Sequence, residues 1–196
     1  MQAIGWSALL QEERTAAALP GLEYPLPGVA RVAVIGARYR AQSGVVSFPH
    51  WRSSELERWR PQALAGTRAE LFSLGQLRER RYLTLDYLVY PLVVFSTLRE
   101  GPLTAADHDR LWELFGLPVY EQIRDAAGAL LARECDARTG YHLLPDENGV
   151  PKLGPARLRA AGWQGDLVPG LCPCGELCLR WLPAASLRAL SLAAGD

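Results

Sequence analysis

Along the chain, apolar and polar positions alternate in blocks that predict a series of short elements. RVAVIGA, Arg31 to Ala37, is an apolar, β-branched run between turn residues, as a buried strand requires. GVVSF, Gly44 to Phe48, predicts a second strand. Ahead of them the pattern predicts an N-terminal helix over Ser7 to Leu19, ended by Pro20 and Gly21, then a linker with Pro25, Pro27 and Gly28. Ser53 and Ser54 mark the start of a helix through Trp59, stopped by Pro61. AELFSLG, Ala69 to Gly75, reads as a short strand, Gln76 to Tyr90 as a helix, and PLVVFST, Pro91 to Thr97, as a strand.

Thr104 opens the clearest helix. Thr104 and Asp107 stand three apart at its start, Leu111, Leu114 and Phe115 form its apolar stripe, and Gly116 follows as a C-cap. PVYEQI, Pro118 to Ile123, and ALLAREC, Ala129 to Cys135, read as strands around a turn at Asp125 to Gly128. The strand, helix, strand order predicts an α/β fold with a mixed, partly parallel sheet and flanking helices. Beyond Gly140 the texture changes. Asn148-Gly149 is a hairpin signal and predicts two short strands, YHLLPD and VPKLG. The stretch up to the cysteines reads as loop, and Pro183 to Leu192 as a closing helix.

With 196 residues, 49% of them hydrophobic, the chain can bury a core without covalent staples, and one domain over 1–196 is expected. Four cysteines are too few for a disulfide scaffold, and the N-terminus carries Glu and Arg where a secretory signal needs an apolar core, so a cytoplasmic protein with reduced thiols is expected. The longest apolar run, Leu85 to Phe95, contains Asp86 and Pro91 and falls well short of the roughly 18–20 residues that span a bilayer, so no membrane partner is expected. Twenty-one basic residues balance twenty-one acidic ones, and the basic footprint of a nucleic-acid binder is missing. Lys152 is the only lysine.

The cysteines carry the candidate chemistry. LCPCGELC holds Cys172, Cys174 and Cys178. The first two have one residue between them, so they are not a thioredoxin-type pair, which needs two. A turn favoured by Pro173 and Gly175 can aim both thiolates at one metal, but tetrahedral closure requires four ligands. ECDARTGYH supplies the rest: Cys135 ends one strand candidate and His142 begins the next, so a tight connection brings them together. Cys135, His142, Cys172 and Cys174 thus form a candidate site of three thiolates and one imidazole, with Cys178 competing as fourth ligand. Thiolate and imidazole donors favour zinc over magnesium or calcium. The plainer alternative makes Cys135 a core thiol and His142 a surface histidine. His50, in a loop beside Trp51, and His108, on a charged helical face, read as structural.

LVVFSTLREGPLTAADHDRLWELFGLPVYEQ, LARECDARTGYHLLPDE and GWQGDLVPGLCPCG, in that order, resemble the second half of the nucleotide-binding domain of phenylacetate-CoA ligase-like enzymes, adenylate-forming proteins related to coenzyme F390 synthetase. The resemblance covers roughly residues 90–182; residues 1–89 carry no motif of this kind. It implies part of the adenylate-forming N-terminal domain with a small zinc-stabilised hairpin region, a structural zinc on Cys135, His142, Cys172 and Cys174, and a ribose contact at Asp166. The catalytic parts do not carry over. No Ser/Thr/Gly-rich phosphate loop with a lysine is present, since Lys152 is misplaced. The family's Tyr-Gly-x-x-Glu falls on Ile123 to Ala127, which puts Ala127 where a carboxylate assists magnesium. Gly-Glu-Pro becomes Glu100-Gly101-Pro102 and the arginine after the knuckle becomes Glu176, and the mobile domain with the catalytic lysine is expected to be missing.

The resemblance therefore implies a zinc-binding, truncated and inactive relative with no catalytic residues, in which the case for ATP or AMP is weak. It would act as a binding or assembly module for a protein partner, a second copy of itself or a small-molecule ligand. Two alternatives stand beside it: a minimal adenylating or acyl-transferring enzyme completed by a partner chain, and a catalytic zinc with an open position near Glu134, Asp136 or Glu176.

Overall fold

The computed structural model describes residues 21–24, 28, 31–37, 39–40 and 42–184. The helix expected over Ser7 to Leu19, two prolines of the linker, and all but the first residues of the expected closing helix lie outside them. Pro183 itself ends a strand.

One nine-stranded sheet runs through the molecule, in the order β2-β1-β3-β4-β5-β6-β7-β9-β8. The strands are β1 Val32–Ile35, β2 Val45–Phe48, β3 Ala63–Thr67, β4 Leu92–Thr97, β5 Val119–Arg124, β6 Leu130–Glu134, β7 Tyr141–Leu143, β8 Gly165–Leu171 and β9 Leu177–Pro183. Pairings from β2 across to β5 are all parallel. From β5 to β8 they are all antiparallel. The helices are α1 Ser53–Trp59, α2 Arg68–Glu79, α3 Ala105–Phe115 and α4 Pro155–Ala160.

The mixed sheet follows the sequence closely. Helices α1, α2 and α3 connect parallel strands, and Leu56, Leu71, Leu74, Leu111 and Leu114 pack on one sheet face against Ile35, Leu64, Leu92 and Val94. The other face of the same strands buries Val34, Ala65, Val93 and Phe95 against Leu22 and Tyr39. Burial on both faces explains the continuous apolar runs of β1 and β4. The capping box at α3 is complete, with Thr104 accepting from the Asp107 N–H while Asp107 accepts from the Thr104 N–H, and Gly116 closes the helix at φ 68°. The turn over Asp125 to Gly128 joins antiparallel β5 and β6 as expected, with the Asp125 N–H bonded to the Ala129 carbonyl.

Other expectations are corrected. AELFSLG is helix, not strand: α2 starts at Arg68, with Thr67 as its N-cap, and ends at Glu79, so no helix reaches Tyr90. The strand is ALAGT just before it, which carries no β-branched residue until Thr67 and so gives little strand signal. Gly75 lets α2 approach α3 closely, since a Cβ there would lie 2.7 Å from Leu114 Cδ1. At α1 the N-cap is Arg52, and neither Ser53 nor Ser54 caps.

The Asn148-Gly149 turn exists, with Asp146 Oδ1 accepting from the N–H groups of Asn148 and Val150. Its flanks make only one bridge, Pro145 to Pro151, because β7 pairs with β6 and β9 instead. The stretch before the cysteines is strand β8. Gly165, Pro169 and Gly170 disguised it, and they are tolerated because β8 is an edge strand.

A second core sits under the antiparallel half, where Ile123, Ala132, Tyr141, Leu143, Leu158, Trp163 and Trp181 meet. Glu121 of β5 lies buried between the two cores. Its carboxylate accepts from the Leu103 N–H at 3.0 and 3.1 Å and from the Tyr141 hydroxyl at 2.5 Å. Burial raises its pKa, against these hydrogen bonds. No helix among the described residues is long and apolar enough to cross a membrane.

Candidate metal centre

Two short connections meet at one end of the antiparallel half. Between β6 and β7 the chain turns through Cys135 to Gly140, closed by the Cys135 N–H on the Gly140 carbonyl at 2.7 Å. Arg138 and Gly140 take left-handed φ values of 57° and 115°. Gly140 is required on a second count, since a Cβ would lie 2.5 Å from the Trp181 carbonyl oxygen. Between β8 and β9 the cysteine turn is closed by the Cys172 N–H on the Glu176 carbonyl and the Gly175 N–H on the Cys172 carbonyl, both at 2.8 Å.

The register places His142 of β7 between Arg133 of β6 and Arg180 of β9. The two turns thereby converge. One donor atom each from Cys135, His142, Cys172 and Cys174 lies within 4.8 Å of the others. Cys135 Sγ is 3.1 Å from Cys172 Sγ, and His142 Nε2 is 3.3 Å from Cys172 Sγ and 3.6 Å from Cys174 Sγ. A tetrahedron with Zn–S near 2.3 Å has sulfur-to-sulfur edges of about 3.8 Å, so small side-chain adjustments suffice. Cys135, Cys172 and His142 are buried. Three thiols and one imidazole at this spacing are a donor set that can hold a metal.

The surroundings supply positive partners for sulfur. Thr139 Oγ1 lies 3.5 Å from both Cys135 Sγ and Cys172 Sγ, and the Ala137 N–H donates to Cys135 Sγ at 3.3 Å. Arg180 reaches Cys172 Sγ at 3.6 Å and Thr139 Oγ1 at 3.2 Å. Burial alone would push the Cys172 thiol up. Hydrogen bonds from Thr139, the Cys174 N–H, Cys135 and His142 outweigh it and bring the pKa down to about 5. Cys174 goes the other way, pushed up to about 11 by burial and by the neighbouring thiols.

Cys178, the competing ligand, groups with His142 and Glu176 rather than with the other three thiols. His50 and His108 belong to no potential metal group among the described residues. Asp166 is exposed on β8 and pairs with Arg159 at 3.2 Å, away from the cysteine turn. Glu134 is committed elsewhere, accepting from the Glu121 N–H and from Arg138, both at 2.9 Å. Ala127 is exposed in the turn after β5. A cavity of about 330 Å³ adjoins the centre, lined in part by Tyr120, Arg133, Glu134, Asp136 and Glu176. Its acids outnumber its bases.

Sequence reading did not select Thr139, Arg133 or Arg180 as parts of this centre, and it placed Glu176 near the ligands without the His142 contact. Thr139 and Glu176 lie inside the two motifs and were open to inspection. Arg133 and Arg180 arrive only through strand register, which no spacing along the chain reveals.

No protein-family model matches the sequence, and no curated protein matches it. Solved structures do match. The chain resembles 2-hydroxyisobutyryl-CoA ligase in an open conformation with 2-HIB-AMP and CoA, at 15% identity and TM-score 0.51, over 79% of this chain and 44% of that one. It also resembles the same ligase in a postadenylation state, at 16% identity and TM-score 0.50, over 90% of this chain and 45% of that one. The fold is therefore that of part of an adenylate-forming ligase domain, and the chain spans less than half the length of these neighbours. The likeness extends beyond the stretch from 90 to 182 in which the sequence motifs lie.

Proposed function

We propose that this protein is a zinc-binding relative of phenylacetate-CoA ligase-like enzymes that works as a binding or assembly module and does not itself activate carboxylates. The carrying observation is the convergence of Cys135, His142, Cys172 and Cys174 on one point from two separate turns. Zinc there is structural. Four protein donors fill a tetrahedral shell, and of the two carboxylates that flank Cys135, Glu134 is already bonded to the Glu121 N–H and to Arg138. The ion would clamp the β6–β7 turn to the β8–β9 turn.

Catalytic silence is supported by the turn after β5, where the chain offers exposed Ala127 in place of a carboxylate for magnesium. The acid-rich cavity beside the centre also suits a nucleotide phosphate poorly. A protein partner or a second copy is the expected occupant of the remaining surface, in the reducing environment of the cytoplasm.

Metal analysis by mass spectrometry, on protein purified without added metal, should find about one zinc per chain, lost in Cys172→Ser. Finding none would refute the metal part. A pyrophosphate-release assay with ATP, magnesium and a panel of acids should stay at background. Robust release by the chain alone would overturn the catalytic part, and release only with a partner chain would support a minimal adenylating enzyme instead.

A further inference from the structure

His142 is gripped from both sides. Nε2 faces the sulfurs of Cys172 and Cys174, while Nδ1 faces Glu176 Oε2 at 2.5 Å. Glu176 does not stand alone, because its other oxygen, Oε1, forms an ion pair with Arg133, the residue registered beside His142 on β6. The imidazole is only 2% exposed, so a change of ring orientation is sterically confined. A neutral imidazole has one N–H and one lone pair. A carboxylate at Nδ1 takes the N–H, and the lone pair must then be at Nε2, aimed into the thiol cluster.

We infer that Glu176, anchored by Arg133, is the positioning residue that fixes His142 as an Nε2 metal ligand and so makes the fourth donor of the centre an imidazole rather than a fourth thiolate. The inference rests on the zinc reading above and deepens it. Cys178 groups with Glu176 and His142 rather than with the other three thiols. To ligate the same ion it would have to displace an imidazole held at both nitrogens. The glutamate stands where the resembled family places an arginine, a group that cannot accept an N–H, so this grip belongs to this chain's own sequence. A carboxylate behind a ligating histidine also raises its basicity and holds its geometry, and losing one typically costs about 10–100-fold in metal affinity.

The test compares zinc-loaded wild type with Glu176→Ala, Glu176→Gln and Cys178→Ser. It measures zinc transfer to a competing chelator and, on ring-labelled histidine, nitrogen NMR of His142. Wild type should show a protonated Nδ1 and a metal-bound Nε2. Glu176→Ala should weaken zinc retention about 10–100-fold. Glu176→Gln keeps an acceptor oxygen and should recover part of that loss, which a merely structural role for the side chain would not produce. Cys178→Ser should retain zinc as wild type does.

Equal retention by wild type and Glu176→Ala, or a metal-bound Nδ1, would overturn the positioning role and leave the zinc reading standing. Loss of zinc in Cys178→Ser with retention in His142→Ala would put a fourth thiolate in place of the imidazole. A wild type that takes up no zinc would overturn the zinc reading itself, and the positioning role with it.

Discussion

The two halves of the sheet are held by different means. From β2 to β5, strands run parallel, lie buried on both faces and are joined through helices whose leucines fill a continuous core. From β6 to β8, strands run antiparallel, β7 is only three residues long, and β8 and β9 are largely half-exposed. There the side chains at the meeting point of the turns are thiols, an imidazole, a carboxylate and two arginines. The contrast teaches where a bound metal would add most. The parallel half has enough apolar area to hold itself, whereas the far end of the antiparallel half is a polar seam between two hairpins.

If that division is right, the largest effect comes from breaking the seam. Cys174→Ser should lose the metal and destabilise the protein by about 3–5 kcal/mol, a large share of a typical total of about 5–15 kcal/mol. Amide exchange should show the loss concentrated in β6 to β9. Uniform loss across both halves would mean that the seam supports the whole molecule.

Leu71→Ala is the counterpart in the parallel half. It empties a fully buried site under the sheet and should cost about 3 kcal/mol in chemical denaturation, with zinc content unchanged. Zinc lost together with stability would join the two halves that are here held apart.

Gly140→Ala should cost about 2 kcal/mol, from a strained φ of 115° and a Cβ pressed on the Trp181 carbonyl. The change should also loosen zinc, because it pushes β7 away from β9. A variant as stable as wild type would show that the turn can relax freely.

The smallest effect concerns Glu121, which lies between the cores. Its pKa is raised in the folded state, by burial above all. Between the ordinary carboxylate value and the raised one, the native protein holds a proton that the unfolded chain has released. Stability therefore falls as pH rises through that window. Glu121→Gln should flatten this slope in a urea series at several pH values. An unchanged slope would assign it to other groups.

Sequence reading reached the parallel half unevenly. Residues in β1, β4 and α3 combine pattern, composition and caps that agree, so these elements were legible. AELFSLG was not, because a short apolar run buried on a helix looks the same as one buried in a strand until its length and cap are known. In the antiparallel half, the four candidate ligands could be named from two motifs because each pair is local. What could not be named was the network behind them. Arg133, His142 and Arg180 become neighbours only when β6, β7 and β9 take their register. β8 itself stayed hidden behind Gly165, Pro169 and Gly170.

The division of ligands between two hairpins also bears on how the chain reaches its final form. Cys135 and His142 belong to one hairpin, Cys172 and Cys174 to the other, so each can close over its own short connection before they meet. The remaining step brings distant segments together, and its chain-entropy cost grows only slowly with the length between them. An ion captured by one hairpin turns that step into a search at high effective concentration. A cell short of zinc would then hold chains whose hairpins are made but not joined. The edge of β7 that should pair with β9 would be exposed and ready to pair with another chain. Zinc supply would set the fraction of new protein that escapes aggregation or degradation.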